Sequence, residues 1–182
     1  MRKTLLAVLL ALGTSAAFAA DKYTFEPTHS QVDFSYSHLG FSTQTQALRT
    51  VKGELLLDTA DLTKSSVSAT IDITSIDTGV AKFDEHLKSA DFFDTAKFPE
   101  ATFQSTKVEA AGTGKLKVTG DLTLHGVTKP VVLDVTVNKI GEHPMAKVAA
   151  AGFNATTTVS RSDFGLGGYV PAVGDAVTIR IA

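Results

Sequence analysis

The 182-residue sequence has no cysteine and no tryptophan, and only five prolines and two methionines. Without cysteine there can be no disulfide, thiolate nucleophile, cysteine metal site or lipid-modified N-terminal cysteine. Stability must therefore come from a sizeable packed core. Charge of either sign is in little excess, with 17 Lys and Arg against 19 Asp and Glu. That balance argues against non-specific nucleic-acid binding. No apolar run is long enough to span a bilayer as a helix. The patterns H-E-x-x-H and G-x-S-x-G are absent, and Gly165-Leu166-Gly167-Gly168 falls short of G-x-G-x-x-G and lies among strands. That stretch reads as a flexible loop, and no cofactor or metal is implied.

The N-terminus carries Arg2 and Lys3, an apolar run from Leu5 to Leu12, and Ala17-Phe18-Ala19. This is the layout of an export signal over residues 1–19, with cleavage after Ala19 or one residue later and a periplasmic destination. Loss of Arg2 and Lys3 leaves 15 basic against 19 acidic residues, a net charge of −4. Residues 20–182 suit a single domain without stable membrane insertion.

Most of that domain alternates apolar and polar residues. Val32, Phe34, Tyr36 and His38 share one face, as do Val51, Gly53, Leu55 and Leu57, and Val67, Ala69, Ile71 and Ile73. Further strands are expected over Tyr23–Glu26, Thr102–Val108, Leu116–Leu124, Val131–Val137, Ala149–Arg161 and Val177–Ile181. Gly40 to Thr45 reads as a loop, and His125-Gly126 as part of a turn. The eight or nine strands, each with one apolar face, point to an all-β antiparallel barrel or sandwich around an apolar interior, and an eight-stranded antiparallel barrel can hold one small ligand.

One stretch breaks the alternation. Phe83, Leu87 and Ala90 have helical spacing, and Phe83, Phe92, Phe93, Phe98 and Phe103 are five of the eleven phenylalanines. A short helix and loop with that much aromatic surface suits a plug or lid at a barrel end, or a plain hydrophobic cap. Strand parity points His38 and Arg161 inward, the latter with Phe153, Ala155, Thr157 and Val159. An inward guanidinium needs an anion, with Asp163, Asp84, Asp91 or a ligand as candidates. Asp84 and His86 project about 200° apart on a helix, which does not suit a shared metal. His125 is expected to be a structural turn residue.

Several of these segments together resemble a known family. They are His29-Ser30, His38, Ser75-Ile76-Asp77-Thr78, the run Asp84-x-His86-Leu87-x-Ser89-x-Asp91-Phe92-Phe93-Asp94, Phe98-Pro99 and Phe103-x-Ser105. Gly120-Asp121-Leu122-Thr123-Leu124-His125-Gly126-Val127-Thr128-Lys129-Pro130 and Arg161-Ser162-Asp163-Phe164-Gly165 complete the set. The chain resembles the bacterial YceI-like, polyisoprenoid-binding family over nearly all of residues 20–182. The resemblance implies an extended lipocalin-like barrel holding a long isoprenoid or fatty chain, such as a polyprenyl diphosphate or an isoprenoid quinone. It also implies a periplasmic location and, in some members, a homodimer. Tyr23 and Gln46-Ala47-Leu48 depart from the family pattern in ways that bear on tunnel shape and ligand more than on fold.

The expected function is non-enzymatic binding, carriage or sequestration of such a lipid. The expected lining is Phe34, Tyr36, His38, Phe83, His86, Leu87, Phe92, Phe93, Phe98, Phe103, Phe153 and Arg161. Two alternatives stay open on sequence: an enzyme acting on an isoprenoid lipid through His38, His86, Asp84 or Arg161, and a stress-induced structural or interaction module.

Overall fold

The computed structural model describes residues 20–182; the expected export signal at 1–19 lies outside them. Eleven strands form a single antiparallel sheet. In chain order they are β1 (Asp21–Thr24), β2 (Val32–His38), β3 (Ser42–Leu48), β4 (Val51–Leu57), β5 (Ser66–Asp72), β6 (Ile76–Asp77), β7 (Glu100–Ala110), β8 (Lys115–Leu124), β9 (Val127–Glu142), β10 (Ala149–Ser160) and β11 (Ala176–Ile181). The spatial order is β1-β4-β5-β7-β8-β9-β10-β11-β2-β3-β6. One helix, α1 (Ala81–Lys88), lies between β6 and β7.

The sheet curls on itself. Val51 of β4 and Val32 and Leu48 of β2 and β3, from opposite ends of the strand order, share one apolar cluster with Ile71, Ile73, Ile76, Leu87 and Ala101. A second cluster, with Phe103, Val118, Leu122, Val131, Leu133, Val135 and Phe164, fills the opposite wall. The all-β barrel read from the sequence is therefore correct in class but short in strand count. The two unforeseen strands are β3 and β6. The segment read as a loop from Gly40 to Thr45 is largely strand. Ser42 to Gln46 has no apolar residue to mark a face, yet Thr43 and Thr45 suit extended backbone and pair with Ser37 and Ser35 of β2. Strand β6 is only two residues long and follows directly on a 3-10 turn, Ile73–Ser75.

Two bulges reset the alternation. Between Ser105 and Lys107 the register of β7 against β8 slips by one, so Ala101 and Phe103 and then Val108 all face inward. Opposite this bulge, the Val67 N–H donates to the Ser105 hydroxyl at 2.9 Å, keeping a backbone donor satisfied where the ladder is irregular. A second slip occurs where β10 meets β9, between Gly152 and Phe153.

The segments most distinctive in sequence meet at one end of the barrel. His125 and Gly126 have φ of 51° and 74°, so they form a two-residue hairpin between β8 and β9. Phe98 packs edge-on against His125, with ring centroids 4.6 Å apart. A Cβ on Gly126 would lie 2.6 Å from the Phe98 ring, which explains the glycine. His125 Nδ1 pairs with the Phe164 carbonyl at 3.2 Å, with the ring nitrogen as donor. Phe164 is 1% exposed. These residues form a structural corner that anchors the end of the helical segment.

Candidate functional site

The curled sheet encloses a cavity of about 620 Å³. Its long walls are apolar, with Leu55, Val67, Ala69, Phe103, Val118, Leu133, Val135, Phe153 and Ala155 among the lining residues. Polar side chains gather toward the ends. Ser65 and Ser66 stand at the start of β5, while Tyr36, His38, His86, Arg161 and Tyr169 stand at the end covered by α1; Thr157 lies between. A larger depression of about 740 Å³ runs over β4, β5 and β7. Its walls include Arg49, Lys52, Glu54, Thr70, Thr102 and Gln104. Lys52, Glu54, Thr70, Thr102 and Gln104 stand on the outer, polar parity of their strands, so this depression opens on the outside of the sheet, with Phe25, Val51, Ala69 and Phe103 shared with the cavity.

The helical segment closes one end of the cavity. Its entry is fixed by Asp84, whose carboxylate accepts from the Thr78 N–H at 2.8 Å and the Thr78 hydroxyl at 2.6 Å. Val80 at the N-cap position has no capping oxygen, so Thr78 and Asp84 tie the first turn instead. The helix stops where the Ser89 hydroxyl donates to the His86 carbonyl at 2.7 Å and Phe93 N–H to Leu87 O at 3.0 Å. Asp94, at φ 45°, turns the chain toward the corner at Phe98. Among the described residues, the side-chain hydrogen bonds of 81–98 stay within 78–98.

Aromatic contacts seat the middle of this plug. Phe93 meets Phe34 edge-on at 5.9 Å, and Phe34 stacks with Tyr36 at 6.3 Å. On the other side His86 meets Phe92 at 4.7 Å, and Phe92 stacks on Tyr169 at 5.9 Å and 17°. The Phe92–Tyr169 pair bridges the plug and the loop after β10. Packing contacts of this kind can part and re-form without stranding a polar group.

Arg161 holds that loop. Its Nε donates to Gly174 O at 2.9 Å, and Nη2 to Gly168 O at 2.7 Å and Val173 O at 2.9 Å. Nη1 donates to Leu166 O. This corrects the expectation of an acidic partner at Asp163, Asp84 or Asp91. Asp84 is committed to Thr78, and Asp163 and Asp91 are exposed. The guanidinium spends its donors on backbone carbonyls because the tight loop leaves them without strand partners. Burial pulls the Arg161 pKa below its ordinary value, while the charges of Asp175 and Tyr36 act the other way. Asp175 accepts the Ser162 N–H at 2.9 Å and the Ser162 hydroxyl at 2.8 Å. Those bonds, the backbone one first, hold its pKa below the usual aspartate value.

Of the twelve expected lining residues, the structure brings eleven together around the cavity: Phe34, Tyr36, His38, Phe83, His86, Leu87, Phe92, Phe93, Phe103, Phe153 and Arg161. His38 and His86 are exposed at the mouth. Phe98 does not join them. It lies outside the cavity, because the turn at Asp94 carries it onto Gly126 and His125. Sequence reasoning missed Phe25, Leu39, Tyr169 and Val173, which also line the cavity. Phe25 carried one signal: Gly53 stands on an inward position, and a Cβ there would lie 2.7 Å from the Phe25 ring. Tyr169 carried none, lying in a loop read as merely flexible.

A curled antiparallel sheet around an enclosed apolar cavity, with a plug at one end, defines a lipocalin-like barrel. Comparison with known proteins gives the family: the YceI-like domain model matches residues 23–182, and the chain belongs to that family. A UPF0312 protein of Vibrio cholerae is 40% identical over 170 residues, covering 91% of this chain and 89% of the relative. The crystal structure of BcnA from Burkholderia cenocepacia superposes with a TM-score of 0.78 at 27% identity, covering 86% of this chain and 96% of that one. A polyisoprenoid binding domain from Saccharophagus degradans shares the fold, with a TM-score of 0.62 at 17% identity, over 90% of this chain and 94% of its own.

Proposed function

We propose that this protein binds a long-chain isoprenoid or related lipid in its interior, without catalysing its conversion, and carries or sequesters it in the periplasm. The carrying observation is the 620 Å³ apolar cavity whose end is closed by aromatic packing. That volume is within the range of about 300–1,000 Å³ typical of small-molecule sites. Burying about ten methylenes is worth roughly 8 kcal/mol before costs, on the scale of micromolar affinity. Chain ordering reduces that figure, and tail burial beyond ten methylenes restores it.

The polar groups do not favour chemistry. Arg161 directs four of its five N–H groups to loop carbonyls, Asp84 Oδ1 is bonded to Thr78, and His38 and His86 stand exposed at the mouth with no hydrogen-bonded side-chain partner among the described residues. None of the four is paired with a second group as the oriented acid or base that an isoprenoid-converting enzyme needs. Either a quinone or a polyprenyl diphosphate tail would fit the same apolar wall.

The test is organic extraction of the protein purified from its native compartment, followed by mass spectrometry. One isoprenoid per chain, unchanged on prolonged incubation, is the expected result. Extracts without lipid, together with no binding on titration, would overturn the proposal. Substrate–product pairs whose ratio drifts with time would move it to the enzyme alternative.

A further inference from the structure

We infer that the rim of the cavity mouth is a docking surface for a lipid bilayer; the inference rests on the lipid-binding reading above. Two loops build the rim. One is Leu39-Gly40-Phe41 between β2 and β3, and the other runs from Leu166 to Gly174. They form a single edge, since Leu39 N–H donates to Ala172 O at 2.9 Å and His38 bridges to Val173. Neither loop contains a charged residue, in a chain that is 20% charged. At this edge Phe41 is 90% exposed, Tyr169 64%, Leu39 50% and Val170 40%. An aromatic ring as exposed as Phe41 adds almost nothing to the core, so the fold does not require it.

Three observations point to a bilayer as the occupant. The rim is continuous with the cavity: Leu39, Tyr169, Ala172 and Val173 belong to both. A lipid tail could therefore pass from an acyl layer to the cavity along apolar surface. The patch is also too small for a stable protein partner, because a standard interface uses about 20–30 residues a side. Finally, the side chains suit the interfacial region, with Tyr169 offering an apolar ring and a polar tip and Phe41 an apolar wedge. The backbone polar groups of these turns limit penetration to the headgroup boundary. Without a basic cluster on either loop, docking should not require anionic lipid.

Phosphatidylcholine vesicles and a short-chain prenol, soluble as a monomer, separate this inference from the lipid-binding reading. The full chain should co-float with the vesicles, to a similar extent at low and high salt. Phe41→Asp should weaken partitioning by on the order of tenfold or more, the scale for withdrawing one aromatic ring from apolar surroundings. The same variant should keep its thermal melt and its affinity for the prenol, because Phe41 does not line the cavity. Since the chain has no tryptophan, Phe41→Trp places a single indole on the rim, and its emission should shift to the blue when vesicles are added.

Failure of the wild-type chain to co-float, or equal co-flotation of Phe41→Asp, would overturn the docking inference, whatever the prenol result. Partitioning that vanishes at high salt would overturn it in favour of electrostatic attachment. A dimer in sedimentation that Phe41→Asp dissociates would assign the rim to a second copy instead. Loss of prenol binding by the wild-type chain would count against the lipid-binding reading and, with it, against docking for lipid transfer.

Discussion

At the scale of single residues, the side chains most suggestive of chemistry hold loops. Arg161 is the clearest case. The strand expected to reach Arg161 ends at Ser160, and Arg161 opens a 3-10 turn, yet it still lines the cavity as the parity of β10 implied. Parity says nothing of its partners, which are carbonyls of a loop with no regular pattern. Arg161→Met should destabilise the unliganded protein by about 2–4 kcal/mol, the scale of losing several charge-assisted bonds and leaving carbonyls unpaired. Denaturant melts check this. Affinities for a polyprenol and its diphosphate should fall together, because four of the five guanidinium N–H groups are already engaged by the loop. A selective loss for the diphosphate would revive the head-group clamp. Asp175 offers a pH test at the same loop. Its folded pKa is depressed, so its contribution is fully present above the ordinary aspartate value of 3.8 and is lost as pH falls toward the folded value. The acid limb of stability should be less steep in Asp175→Asn than in the native chain below about pH 4. Gly126 is a third case: Gly126→Ala forces a Cβ against Phe98 at φ 74°. It should cost about 1–3 kcal/mol in thermal or denaturant melts.

At the scale of elements, the plug is the part with freedom to move. Thr78–Asp84 pins one end and the Phe98 corner the other, while aromatic contacts seat the middle. Phe92→Ala should speed ligand exchange severalfold in stopped-flow displacement, at a stability cost of about 1–2 kcal/mol because the ring is only half-buried. Exchange at the native rate would make the segment a plain core cap. The helix itself was legible from Phe83 and Leu87, and nine strands from their alternation. Strand β3 was not, because Ser42 to Gln46 has polar residues on both faces. The fate of Phe98 depended on the turn at Asp94, and that of Tyr169 on a loop shaped by Arg161. Local pattern reports which way a strand residue points; loop-held contacts arise only once distant segments have met.

At the scale of the whole molecule, eleven strands, most of them alternating in sequence, curl into one sheet, and the apolar faces enclose space instead of filling it. Volume is a property of the closed sheet, so no window of sequence displays it; the family resemblance supplied the expectation that the interior is a tunnel. Among the described residues no helix is long and apolar enough to cross a membrane. Whether the enclosed space is where lipid sits can be tested by filling it. Ala155 lines the cavity from β10, between Val135 of β9 and Ile181 of β11. Ala155→Trp would project a large ring into the open space with little overpacking. The decisive measurement is the affinity of a long-chain polyprenol for Ala155→Trp against the native chain, with melts confirming that both are folded. A loss of at least about tenfold, with the fold intact, is the expected result. Equal affinity in two folded proteins would place the ligand outside the barrel and contradict the proposed function.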